Sequence, residues 1–316
     1  MAIVRWSVSN DLPGNVLHGA VTVGNFDGVH RGHGALLQEL RRQCGVGEPA
    51  VVLTFDPHPL AVLAPERLKP LLTSPDQRAE LLIASGADHV VIAETTPALL
   101  GMNAEDFLSV IVRDGLKARA MVEGYDFHFG RGRAGTNATI RDWGVRLGVR
   151  TTVVEPYSYG GQVVSSSKVR HALESGDVTA AAMLLGRRYR LTGDVLVGAR
   201  RGRTIGFPTA NMERTETLVP GDGVYAVIVR LPDGSQWPAA ANVGPNPTFG
   251  DQARKVEVHV IGFTGDLYGA ALTIEFVDRL RETRMFASVA DLTAQLRIDV
   301  ATAAEHLKMQ KVPHAE

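Results

Sequence analysis

The sequence predicts an α/β domain with a parallel sheet, followed by a small antiparallel β-barrel domain carrying a terminal helix. Three observations carry this prediction. The first half alternates short valine-rich runs with amphipathic runs of helical length, the second half shows strand-length runs separated by turns, and the pattern changes abruptly at Gly186-Arg-Arg188. Strands alternating with helices imply βαβ units and right-handed crossovers, whereas consecutive strands imply a separate β domain, most simply a closed barrel. We therefore divide the chain into residues 1–186 and 187–316, since 316 residues are long for one core and comfortable for two.

The first strand starts at Val21 and turns through Gly24, Asp27 and Gly28, delivering His30 and His33 to the amphipathic run 34–43. Residues 50–55 form a continuous apolar run suited to a parallel strand buried on both faces, and Asp56-Pro-His-Pro59 must leave the sheet behind it. Helical spacing over 74–85, 104–113 and 137–147 alternates with strand-like runs at 90–93, 118–123 and 150–155. Val164-Ser-Ser-Ser-Lys-Val-Arg170 opens a helix through Leu173, and residues 177–185 complete another. This is a Rossmann-like arrangement, but no Gly-x-Gly-x-x-Gly follows the first strand, which disfavours a nicotinamide dehydrogenase.

Beyond Arg188, strand-like runs fall at 189–197, 224–229, 237–243, 256–261 and 272–277, with Pro232-Asp-Gly234 as a hairpin turn. Ser288-Val-Ala-Asp291 resembles a capping box, and Leu292, Leu296, Val300, Ala303 and Leu307 keep helical spacing, so a terminal helix should pack on the barrel.

Composition narrows the function classes. A formal charge of −1 argues against nucleic acid or an anionic membrane as partner, while Arg131/Arg133 and Arg200/Arg201/Arg203, interleaved with glycine, suit a compact phosphate or read as solvated loop charge. The single cysteine, Cys44, excludes an intrachain disulfide and ends an apolar helical stripe, which fits core packing. Residues 1–14 carry Arg5, Asn10 and Asp11, and nowhere do about 18 apolar residues run together, so a cytoplasmic location is expected.

Chemistry concentrates at strand ends. A strand passing through a glycine-bearing turn into a helix start offers unpaired N–H groups and a favourable dipole to an anion, and two nearby imidazoles can donate to phosphate oxygens. Asp56 and His58 lie where α/β folds place ligands, although a structural proline-rich turn also accounts for them. Gly124-Tyr-Asp-Phe-His-Phe-Gly130 offers aromatic surface to a planar ring, or core packing for Phe127 and Phe129. The serines of 165–167 can cap a helix or bind phosphate, with Arg170 one turn on. In the second half, the glycine–arginine loop 198–206 suits a polyphosphate, and Thr209 and Asn211 offer oxygens to a hard cation.

Gly24-Asn-Phe-Asp-Gly-Val-His-Arg-Gly-His33 resembles the phosphate-binding signature of the nucleotidyltransferases related to class I aminoacyl-tRNA synthetases, in the form found in bacterial bifunctional riboflavin kinase/FAD synthetases. Val164-Ser-Ser-Ser-Lys-Val-Arg170 resembles the second signature of that superfamily, and Gly202-Arg-Thr-Ile-Gly-Phe-Pro-Thr-Ala-Asn211 is similar to the riboflavin kinase signature. Gly221-Asp-Gly-Val-Tyr225, Asn242-Val-Gly-Pro-Asn-Pro-Thr-Phe249 and Val256-Glu-Val-His259 agree with the same family, whereas Thr283 and Met285 stand where many members carry Glu and Lys, and some carry Asn at Asp126. The resemblance implies a bifunctional enzyme that phosphorylates riboflavin to FMN and adenylylates FMN to FAD, using ATP with Mg²⁺. It implies His30 and His33 as catalytic donors, Gly24, Phe26, Asp27, Ser166, Ser167 and Arg170 around ATP in the first domain, and Asp56, His58, Asp126 and Phe127 around flavin. In the second domain it implies Gly202, Arg203 and Gly206 at the phosphates, Thr209 and Asn211 at the metal, and Glu257 as base. Alternatives are a chain with one competent site, a flavin-binding regulator or nucleic-acid module, or, for the first half alone, another adenylyl- or cytidylyltransferase.

Overall fold

The computed structural model describes residues 1–196, 205–246 and 251–309. The chain forms two compact units, Met1–Ser165 and Ser166–Glu316.

The first unit is built on six parallel strands: β1 (Ala2–Trp6), β2 (Ala20–Val23), β3 (Ala50–Asp56), β4 (His89–Glu94), β5 (Ala120–Gly124) and β6 (Arg150–Val154), in the order β1-β4-β3-β2-β5-β6. Side chains of these strands alternate between two cores. Val21, Val51, Leu53, Val91 and Met121 face one, while Ala20, Val52, Val90, Ile92 and Val122 face the other, as buried parallel strands require. Helices α1 (Arg31–Gln43) and, beyond the short α2 (Pro59–Leu63), α3 (Pro75–Ala84) cover the second face through Leu36, Leu37, Leu40, Ala79 and Leu82. After α4 (Pro97–Gly101) come α5 (Ala104–Phe107), a π-helical continuation Leu108–Gly115, and α6 (Asn137–Leu147), which cover the first face through Phe107, Ile111, Ile140 and Trp143. A small hairpin, β7 (Ser158–Tyr159) and β8 (Gln162–Val163), completes the unit.

The order reverses at β2: the chain builds outward through β3 and β4, then returns to lay β5 on the other side. In open parallel sheets that reversal opens a crevice at the carboxyl ends of the strands, where ligands bind. Strand β1 escapes the sequence pattern because, as an edge strand, it buries only alternate positions.

The second unit begins with α7 (Ser166–Glu174) and α8 (Val178–Leu185), then forms a barrel of β9 (Arg190–Leu196), β10 (Ala210–Glu213), β11 (Gly223–Arg230), β12 (Gln236–Asn246), β13 (Asp251–Val260) and β14 (Ala271–Arg281). All neighbours are antiparallel, and β9 pairing with β10 closes the ring, so no strand edge is left open. Tyr225, Val227, Val258, Ile274 and Phe276 are fully buried, with Tyr225 edge-on to Phe276 at 5.2 Å. The terminal helix α9 (Val289–Met309) packs on the barrel as expected, its Ala303, Val300 and Leu307 against Ala226, Ala240 and Val277. Ser288 caps it, accepting from the Asp291 N–H at 3.1 Å.

Candidate active sites

The connection from β2 to α1 is the most constrained stretch of the first unit. Phe26, Gly28 and Val29 adopt left-handed φ values of 47°, 85° and 41°. Glycine takes that conformation freely, but phenylalanine and branched valine do so only when their surroundings hold them. Phe26 and Val29 are each 4% exposed, packed into the core. Asp27, equally buried, accepts hydrogen bonds from the N–H of Leu72 (2.9 and 3.0 Å), the N–H of Thr73 (3.1 Å) and the Thr73 hydroxyl (3.2 Å). Gly28 N–H donates in turn to Thr73 Oγ1 at 3.2 Å. The loop is thereby tied to the segment leading into α3.

His30 is the N-cap of α1, in extended backbone. His33 sits three residues on, and each Nδ1 accepts the backbone N–H of the other residue at 3.3 Å, a capping box made from two imidazoles. Their rings stack with centroids 3.7 Å apart, and Phe26 meets His33 edge-on at 5.2 Å. A ring nitrogen that accepts carries no proton, so each neutral imidazole holds its proton on Nε2. Two Nε2–H donors thus stand at the positive end of a helix, an arrangement suited to phosphate oxygens.

Asp56 and Gly24 end adjacent strands at the same sheet edge, with Asp126 just beyond the end of β5. Asp56 accepts from Arg5 (3.1 Å), which also reaches Asp76, and it borders an open depression with Arg5, Trp6, Ser7, Ile92 and Glu94. His58 caps α2, its Nδ1 accepting from Leu60 N–H at 3.1 Å. Asp126 is exposed, while half-buried Phe127 stacks on Phe129, which is core. Cys44 is half-buried, and burial raises its thiol pKa, in keeping with a packing role.

Two buried charged residues at this edge escaped the sequence reading. Glu123, 2% exposed, accepts from Val23 N–H at 2.7 Å between β2 and β5, whose ladder ends at Val21 and Met121. Burial holds its carboxyl well above the usual carboxylate range, against the opposing effect of that hydrogen bond. Arg78, on α3, is 1% exposed. The available signal for Arg78 was a charge on the apolar helical face shared with Ala79 and Leu82; for Glu123, a carboxylate ending an apolar strand.

In the second unit, Ser166 and Ser167 open α7, half-buried and exposed respectively, with half-buried Arg170 one turn on. Gly202 and Arg203 lie outside the described residues. Gly206 takes a φ of 86° in the turn that follows. Asn211 on β10 pairs directly with Glu257 on β13, and Glu257 with Asn242 on β12, so three polar residues form one row across three strands. Thr209 lies two residues before Asn211, and the segment is held to β13 by His259, whose Nδ1–H donates to Pro208 O at 2.8 Å. Among the described residues no three His, Cys, Asp or Glu side chains converge on a metal position. A cation here would rest on the oxygens of Thr209 and Asn211, with the Glu257 carboxylate beside them on the next strand.

Comparison with known proteins matches two successive stretches of the chain to two families. Residues 15–168 match the FAD synthetase family model and residues 185–307 the riboflavin kinase model. A bifunctional riboflavin kinase/FMN adenylyltransferase of Pseudomonas fluorescens is 39% identical over 284 residues, covering 89% of this chain and 91% of the relative. One of Escherichia coli K12 is 35% identical over 292 residues, covering 92% and 93%. A crystal structure named for a macrolide-efflux protein of Streptococcus pneumoniae superposes with a TM-score of 0.85 at 28% identity, covering 95% of this chain and 99% of that one. Among the described residues no helix is long and apolar enough to cross a membrane. Two family models met in order, and relatives this similar over nine-tenths of both chains, show that the chain belongs to the bifunctional riboflavin kinase/FMN adenylyltransferase family.

Proposed function

We propose that this chain makes FAD from riboflavin in two ATP-dependent steps. In residues 187–316, Glu257 accepts the proton of the riboflavin 5′-hydroxyl as that oxygen attacks the γ-phosphate of ATP, giving FMN and ADP. In residues 1–186, the FMN phosphate attacks the α-phosphate of a second ATP, giving FAD and pyrophosphate. His30 and His33 donate from Nε2 to the phosphate oxygens as charge develops, with Gly24, Phe26 and Asp27 shaping the loop. The motif of Ser166, Ser167 and Arg170 makes these residues further candidates for binding ATP phosphate. Asp56, His58, Asp126 and Phe127 border the flavin. The incoming phosphate is already a nucleophile, so no covalent enzyme intermediate is needed.

The observation that carries the kinase reading is the cross-strand pairing of Glu257 with Asn211. Cross-strand pairing of a carboxylate with an amide oxygen supports a base acting next to a bound cation. Thr209 and Asn211 would hold Mg²⁺, a hard cation that keeps several waters and neutralises phosphate charge. Gly202, Arg203 and Gly206 would border the phosphates. Dependence on ATP makes the cytoplasm the natural compartment.

Incubating the protein with riboflavin, ATP and Mg²⁺, and separating FMN and FAD over time, tests both steps. FMN should appear first and convert to FAD. FMN without FAD, even when FMN is supplied, would overturn the N-terminal assignment, and neither product would overturn both.

A further inference from the structure

Arg78 is a guanidinium inside the core of the α/β unit, 1% exposed, on the inner face of α3 beside fully buried Ala79 and Leu82. Its Nη2 donates to the carbonyl oxygen of Phe55 at 2.7 Å, and its Nε has no hydrogen-bond partner among the described residues. A buried cation is retained only where nearby charge offsets its desolvation. Burial lowers the Arg78 pKa, while Asp27 and Asp56 both favour its charged form. Those carboxylates belong to different connections, one carrying His30 and His33, the other carrying His58.

The lead into α3 grips the first connection, because Leu72 and Thr73 bind Asp27 and Thr73 Oγ1 accepts from Gly28 N–H. Arg78, one turn into the helix, grips the end of β3 at Phe55 O, one residue before Asp56, where the second connection begins. This segment therefore ties the Asp27 loop to the end of β3, from which the Asp56–His58 loop leaves the sheet.

We propose that Arg78 is a positioning residue for FMN adenylylation: it sets the spacing between the loop of His30 and His33 and the Asp56–His58 loop. The proposal rests on reading the first unit as the adenylyltransferase. Removing the guanidinium takes the donor from Phe55 O and removes a positive charge that Asp27 and Asp56 both favour. A displacement of about 1 Å at a phosphate-binding loop costs about 10²-fold in rate.

The test uses full-length wild type, Arg78→Met and Arg78→Lys, assaying FAD formation from FMN and ATP, FMN formation from riboflavin and ATP, and thermal melting of each. Turnover is expressed per folded molecule, below the onset of melting. Arg78→Met should lose about 10²-fold in the adenylylation kcat with kinase turnover within about twofold, and Arg78→Lys, which keeps charge and donor, should recover about tenfold. Undiminished adenylylation in Arg78→Met, a lysine variant no better than methionine, or a loss explained wholly by the unfolded fraction would overturn the role of Arg78. Wild-type protein that makes no FAD would overturn the adenylyltransferase reading and this proposal with it.

Discussion

Replacing Asp27 with alanine separates two roles that one buried carboxylate could have, touching ATP or holding the loop. Its described hydrogen bonds run to the N–H of Leu72, the N–H of Thr73 and the Thr73 hydroxyl. In Asp27→Ala the hydroxyl can turn elsewhere, but two backbone N–H groups are left buried without that acceptor. Each such group costs about 1–3 kcal/mol, so the loss is about 4 kcal/mol in total. For a unit of this size about 2–4 °C accompanies each kcal/mol, which gives a fall in melting temperature of about 8–16 °C for the α/β unit. Asp27→Asn keeps one oxygen acceptor and should lose about half as much. Calorimetry, with the fluorescence of buried Trp6 and Trp143 as a second probe of this unit, reads the effect. FAD formation should fall with it while riboflavin phosphorylation persists. An Asp27→Ala protein that melts within about 2 °C of wild type, but shows a large rise in KM for ATP, would refute the clamp and favour direct contact with the nucleotide.

Glu257→Gln should cut FMN formation by about 10²–10⁴-fold while leaving conversion of supplied FMN to FAD intact, as product chromatography would show. Glu123 titrates in the opposite sense from a salt-bridged carboxylate: its folded pKa lies well above the ordinary value of 4.5, so the stability it contributes is full below that value and is lost as pH rises toward the folded pKa. Glu123→Gln keeps an acceptor for Val23 N–H and never ionises; its melting temperature relative to wild type should rise between pH 5 and pH 8, and a difference independent of pH would contradict this. On the barrel, Arg281 donates to Asp299 at 2.9, 3.1 and 2.7 Å, with the Asp299 side chain only 4% exposed. Asp299→Ala should destabilise the second unit by about 3 kcal/mol, the lower end of the range for a broken buried pair because Arg281 keeps some solvent, and the double variant Arg281→Met/Asp299→Leu should recover much of it in the same melts.

Much of the architecture was legible because burial writes itself into periodicity. Strands β2 to β5 appear as largely apolar runs, since a parallel sheet covered on both faces leaves no polar face, and α9 appears in the spacing from Leu292 to Leu307. Strand β1 and the four-residue β10 do not, one because an edge buries only alternate residues and the other because it is too short to show a period. The His30–His33 spacing was visible, but its conversion into a mutual cap was not, because that depends on the backbone turning at Phe26 and Val29.

By itself, the sequence determined the local chemistry: which residue types stand at strand ends and helix starts, the two successive motif sets, and the change from βα units to consecutive strands. Tertiary structure decided what no local pattern encodes. Strand order placed the reversal between β2 and β5, and barrel register set Asn211 against Glu257 across 46 positions of sequence. Packing enclosed Glu123 and Arg78, whose charges look like ordinary surface residues until the elements around them close. The physical reason is that periodicity reports which face of an element is buried, while the identity of the neighbour it is buried against depends on contacts made only when distant segments meet.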